Sequence, residues 1–201
     1  MGVADGISNS NRSEKASKLA MQLLSQMESL SRQTIYELRS CLSAELAEDY
    51  FGSATTFVAA EIDQITRKTK ILSVGDSRAY LIDTQGKWQQ ITQDHSILSE
   101  LLADFPDKQE EDFATIYGGV SSCLVADYSE FQDKIFYQEI EIQKGGSLLL
   151  CSDGLTDGLS AEVREKIWKQ YDNDKSRLTV CRKLVAKQKF YDDLSVIICT
   201  F

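Results

Sequence analysis

Proline is almost missing from this sequence, with Pro106 the only one in 201 residues. No Pro/Ser-rich linker and no internal repeat interrupts the chain, so no second-domain boundary is visible and 1–201 reads as one domain. Cysteine is sparse and unpatterned: Cys41, Cys123, Cys151, Cys181 and Cys199 are odd in number, widely spaced and contain no CxxC pair. That argues against a disulfide framework or a zinc site and for reduced thiols used as small core residues in a cytoplasm. Histidine occurs once, at His95. No apolar run exceeds strand length, so neither a secretory signal nor a membrane span is expected. Basic charge is in deficit, giving a net charge of −9. Nucleic acid and anionic membrane are therefore poor partners. The remaining balance, 42% hydrophobic and 26% charged, is that of a globular chain with a substantial core.

What the sequence does have is a repeated grammar of apolar strand followed by carboxylate. Leu148-Leu149-Leu150 runs through Cys151-Ser152 into Asp153-Gly154. An unbroken apolar run of this length predicts a strand buried on both faces. A carboxylate at its end puts negative charge at a sheet rim, where a cation can neutralise it. Gly2-Val3-Ala4 leads likewise into Asp5-Gly6, Ile71-Leu72-Ser73-Val74-Gly75 into Asp76, and Asp192-Asp193 precedes Leu194-Ser195-Val196. Carboxylates at strand ends, far apart in sequence, are the raw material of a shared oxygen-ligand metal site.

The spacing predicts a helix over 12–30, with Asn11 and Glu14 as an N-terminal capping box, and a second over 32–49. A block of strands follows: 55–65, 70–74, 79–82 and 88–92, with Asp83–Lys87 as a hairpin turn. Ile97, Leu98, Leu101 and Leu102 suggest a short helix, and the acidic run Asp104–Asp112 reads as solvated loop. Strands are expected at 135–142, 147–152 and 194–201, and helices at 161–170 and 176–189. Helices, a block of antiparallel strands, helices and a last strand give an α+β fold: a β-sandwich of two antiparallel sheets flanked by helices. Asp157 reads as a cap residue, because Asp157-Gly158-Leu159-Ser160 precedes a helix.

Six segments together, Asp5-Gly6, Gly52–Thr56, Val74–Arg78, Thr92–Ser96, Ser152–Asp157 and Asp192–Ser195, resemble in content and order the type 2C (PPM) metal-dependent protein phosphatases. The resemblance implies two central antiparallel sheets with helix pairs on both outer faces. It also implies hydrolysis of phosphoserine and phosphothreonine in proteins, with water activated between two Mg or Mn ions as the nucleophile. By the same resemblance Asp5 bridges the two ions, the Gly6 carbonyl binds one, and Asp153 and Asp192 hold the other. Asp76, with Asp153, matches the position of a third, weaker ion in bacterial relatives. Arg78 and His95 match motifs of a structural kind, and Asp193 stands where the family usually has asparagine. The acidic 104–112 run lies where the family has a variable flap. Gly118–Leu124 resembles the family's corresponding stretch only loosely.

The family pattern begins with strands that carry a phosphate-gripping arginine and acidic residues that bind metal-bound water; Met1 stands almost directly before Asp5, so those strands are expected to have no counterpart here. Loss of a two-pronged phosphate contact costs a few kcal/mol, and Arg12, close to the Asp5 loop, is the candidate to compensate. An uncovered sheet edge invites pairing, so self-association through that edge is expected. The rival reading is a catalytically weak or inactive relative acting as a regulatory binding module; a third is a divalent-metal hydrolase of small phosphoesters.

Overall fold

The computed structural model describes residues 1–113, 119–130, 134–189 and 192–201. Two four-stranded antiparallel sheets face each other. The first is built from β1 (Gly2–Val3), β3 (Phe57–Ile62), β4 (Lys68–Val74) and β8 (Phe136–Glu141), in the order β1-β3-β4-β8. The second is built from β5 (Arg78–Ile82), β6 (Trp88–Gln90), β9 (Ser147–Cys151) and β10 (Val196–Thr200), in the order β10-β9-β5-β6. A two-residue ladder joins β2 (Ala54–Thr55) to β7 (Leu124–Val125). The helices are α1 (Ser13–Leu24), α2 (Arg32–Leu46), α3 (Ile97–Asp104), α4 (Asp153–Gly158), α5 (Ala161–Gln170) and α6 (Asp174–Val185).

The strand period of two sorts the side chains into three cores. In β9, Leu148 and Leu150 point between the sheets, where they meet Val58, Ala60, Ile71 and Ala79. Leu149 and Cys151 point the other way, against Leu155, Ile167, Trp168, Cys181 and Val185 of α4, α5 and α6. In β3, Phe57 and Ala59 face Ala16, Ala20, Ile35, Leu38 and Leu42 of α1 and α2. The layers are therefore helix, sheet, sheet, helix, as the sequence implied. Every residue of β9 is buried, and each fully buried leucine contributes about 2 kcal/mol. The strand is held between β5 and β10, so its C-terminal end is a fixed point for whatever follows.

Local expectations were revised in three places. The Asn11–Glu14 box does not form. Arg12 takes the cap position in a left-handed conformation (φ 49°) with no side-chain cap bond. Its carbonyl accepts from Ser53 Oγ at 3.0 Å, while Asn11 reaches Phe51. A tertiary tie to the 51–53 turn overrides local capping. Helix α1 ends at Leu24 rather than near 30, because Glu61 of β3 accepts from the Leu30 N–H (2.6 Å) and Ser29 Oγ (3.0 Å) and draws the chain out of the helix. Finally, Asp157, expected as a cap residue, lies inside the short helix α4. The 83–87 hairpin turn forms as expected, with Gly86 at φ 78°. No helix among the described residues is long and apolar enough to cross a membrane.

Candidate active site

Asp5 follows β1, and its backbone is pinned from three directions. Its carbonyl accepts from the Thr56 N–H (2.8 Å) and Thr55 Oγ1 (2.8 Å), and Gly6 bridges to Thr55. Thr56 Oγ1 in turn bonds Ser77 Oγ at 2.7 Å, which ties the Asp5 strand to the turn that carries Asp76. That turn needs Gly75: its φ is 101°, and a Cβ there would stand 2.7 Å from Thr56 Cβ. Asp153 begins α4 immediately beyond β9. Ser152, buried, accepts at Oγ from the Ser195 N–H and donates to the Asp193 carbonyl, both at 3.0 Å. Gly154 lets the same segment approach, since a Cβ there would lie 2.4 Å from the Asp193 carbonyl oxygen. Asp192 is thereby clamped beside Asp153.

These four segments open onto one cavity of about 220 Å³, lined by Asp5, Gly6, Ile7, Ser8, Asn9, Thr56, Asp76, Val120, Asp153, Asp157 and Asp192. Burial and neighbouring carboxylates disturb the ionisation of four of these acids. Burial, then Asp153 and Asp192, push the Asp5 carboxyl up to about 7. Burial and then Asp153 push Asp76 up to about 6. Asp153 is raised by burial, then by Asp157 and Asp192; Asp157 is raised by burial, against the pull of Arg78. Asp153 Oδ1 is buried with no protein donor. The carboxyl with which Asp153 can share a proton is that of Asp5. Among the described residues no three acids already surround one point as a finished ligand set. What stands there instead is an orphaned carboxylate oxygen among acids whose affinity for protons is raised, and hard divalent cations would compete with those protons. The donor set is all oxygen, as magnesium and manganese require.

The protein phosphatase 2C profile matches residues 1–179. The chain belongs to the protein phosphatase 2C family. The serine/threonine phosphatase Stp of Listeria monocytogenes serovar 1/2a is 33% identical over 182 residues, which span 83% of this chain and 70% of the relative. Protein phosphatase PhpP of Streptococcus pneumoniae serotype 2 is 32% identical over 119 residues, 59% of this chain and 46% of that protein. Among solved structures, Stp1 from Staphylococcus aureus superposes with a TM-score of 0.83 at 24% identity, covering 100% of this chain and 82% of that one. The catalytic domain of PstP, solved with two manganese ions, gives 0.77 at 23% identity, with 98% and 85% covered. At these identities the structures establish the shared fold.

Several residues of this phosphatase 2C chain stand elsewhere than the sequence suggested, or do more. Asp157 is not a cap: Ser160 caps α5, and Asp157 sits within α4 and lines the acidic cavity. Its spacing of four from Asp153 was the available signal, since i and i+4 share a helix face. The Arg12 guanidinium is exposed, pairs with Glu14 at 3.5 Å and is not among the cavity's lining residues. Arg78 braces the sheet as expected, donating from Nε and Nη2 to the Asp94 carboxylate. His95 accepts at Nδ1 from the Gly75 N–H (3.2 Å), and burial lowers its pKa, so it stays neutral and structural. Thr55, Thr56 and Ser152, which hold the carboxylates in place, fall within the family-like segments 52–56 and 152–157 but were not singled out for that role. Of the loosely matching 118–124 stretch, residue 118 lies outside the described residues, and Val120 reaches the cavity wall.

Proposed function

We propose that this chain hydrolyses phosphoserine and phosphothreonine in proteins and depends on Mg or Mn for that activity. The observation that supports this most is the meeting of Asp5, Asp76, Asp153 and Asp192, from four distant segments, on one cavity in a protein phosphatase 2C chain. In this reading Asp5, the Gly6 carbonyl, Asp153 and Asp192 would together hold two divalent ions. Asp76 and Asp153 offer a weaker third position, and Asp157 adds negative charge from the same wall. The ions, when bound, supply Lewis acidity that lowers the pKa of water and neutralises phosphoryl oxygens.

The chain's own part is positional. The Thr55–Thr56 pins, the Ser152 clamp and the close approach at Gly154 hold carboxylates that would otherwise repel one another. A cavity of about 220 Å³ suits ions and a phosphoryl group, and leaves the peptide outside. Arg12 is the proposed phosphate contact: released from Glu14, its exposed side chain can turn toward the Asp5 loop. Arg12→Ala should raise KM for a phosphopeptide; unchanged kinetics would remove Arg12 from the account.

Five free cysteines fit a reducing cytoplasm, which we take as the working compartment. Edge strands β1 and β10 carry no charged residue and flank an apolar groove of about 390 Å³ lined by Met1, Met21, Leu24, Met27, Leu30 and Ile197. Uncharged edges favour strand pairing, so we propose that two copies associate there. Light scattering tests this, and a monomer at high micromolar concentration contradicts it.

The activity itself is tested by manganese-dependent release of phosphate from a phosphothreonine peptide by the full chain. Asp153→Asn should remove it while leaving circular dichroism intact. Manganese binding without turnover would contradict the enzymatic reading.

A further inference from the structure

A second cleft, of about 290 Å³, opens between α3 and the start of β8. Arg32, His95, Ser99, Glu100, Lys134 and Phe136 are among its walls. Two backbone links connect its wall to that of the acidic cavity. His95 exchanges hydrogen bonds with Gly75, the neighbour of Asp76 (Nδ1 accepting at 3.2 Å, N–H donating at 2.9 Å). Ser96 bridges to Val120, which lines the acidic cavity. A chain entering the acidic cavity with a phosphorylated side chain can therefore lay a flanking residue into this cleft.

The charges in the cleft are unequally satisfied. Asp94 is committed to Arg78, and Glu100 accepts from Lys134 Nζ at 3.0 Å. Arg32 has no carboxylate partner among the described residues; its Nη1 donates to the Ile135 carbonyl at 2.8 Å, which holds the guanidinium at the cleft. A guanidinium has five N–H donors in a planar fork that matches a carboxylate. In a chain with net charge −9, an exposed arginine without a carboxylate partner among the described residues gives this cleft a cation able to pair with an acidic side chain.

We infer that this cleft is a substrate subsite in which Arg32 selects a carboxylate side chain flanking the phosphorylated serine or threonine. The inference rests on the phosphatase reading above, and adds to it the sequence preference of the substrate. Lys134 is the auxiliary cation, because its pairing with Glu100 is largely exposed, 64% and 40% on the two sides, and can be exchanged.

The test uses the full chain with manganese and two phosphothreonine peptides that differ only in carrying Glu or Ala at the flanking positions. Its readout is the ratio of kcat/KM for the two peptides within each protein, which a change in metal loading or fold does not alter. Wild type should favour the Glu peptide by about threefold to fivefold, the scale of an exposed ion pair. Arg32→Ala should bring the ratio to about one, and Arg32→Glu should invert it. A wild-type ratio of one, or a ratio that survives Arg32→Ala, overturns the subsite. p-Nitrophenyl phosphate separates the two failures. Its turnover without peptide discrimination overturns the subsite alone, whereas no turnover of it or of either peptide overturns the phosphatase reading and the subsite together.

Discussion

Replacing Asp76 by asparagine should stabilise the metal-free protein. Burial, and then the charge of Asp153, raise the Asp76 carboxyl from 3.8 to about 6. Each pKa unit corresponds to about 1.4 kcal/mol, so the folded state carries a cost of roughly 3 kcal/mol when Asp76 is ionised. Partial exposure reduces this to about 1 to 2 kcal/mol. The sign follows from the direction of the shift. The folded protein keeps this proton at a pH where the unfolded chain has lost it. The cost is therefore absent below about pH 4, grows as pH rises toward about 6, and is constant above that. For a chain of this size 1 kcal/mol moves Tm by about 2 to 4 °C. Asp76→Asn should thus raise Tm by about 2 to 8 °C at pH 8 with EDTA present, by about half of that at pH 5, and by almost nothing near pH 4. Differential scanning fluorimetry across that range measures it. A Tm that does not rise at pH 8, or a gain independent of pH, would show that the carboxylates do not crowd one another as described.

Gly154→Ala should cost more than tenfold in manganese affinity with the secondary structure retained, because its Cβ would enter the Asp193 carbonyl and displace Asp192; titration calorimetry and circular dichroism together separate the two effects. Asp94→Ala should destabilise by about 2 to 4 kcal/mol in urea, since it strands the largely buried Arg78 charge; a loss below about 0.5 kcal/mol would deny Arg78 its bracing role. Leu150→Ala, which empties space between the two sheets, should cost about 2 to 5 kcal/mol by the same assay.

What could be read from the sequence was whatever local chemistry decides. The run into Asp153 announced a two-face-buried strand, because Leu148, Leu149 and Leu150 leave no polar face to expose. The apolar spacing of α1 and α2 marked the helices that cover the first sheet. Carboxylates at the ends of apolar strands pointed to Asp5, Asp76, Asp153 and Asp192, which the fold brings to one cavity. What escaped was decided at a distance. Helix α1 stops where it does because of Glu61, more than thirty residues later. Asp157 looked like a cap from its Gly-Leu-Ser neighbours, and only the rotation of α4 on the end of β9 turns it toward the cavity. The pins on Asp5 come from Thr55 and Thr56, whose part shows only once the 5–6 segment lies beside them.

The central claim is that acids from four separate segments make one divalent-cation site. A crystal of the full chain soaked in manganese chloride, measured at the manganese absorption edge, tests it most directly. The account predicts two anomalous peaks in the cavity, one contacting Asp5 and the Gly6 carbonyl and the other contacting Asp5, Asp153 and Asp192. A map with no anomalous density among these side chains, at manganese concentrations that support turnover, would contradict it.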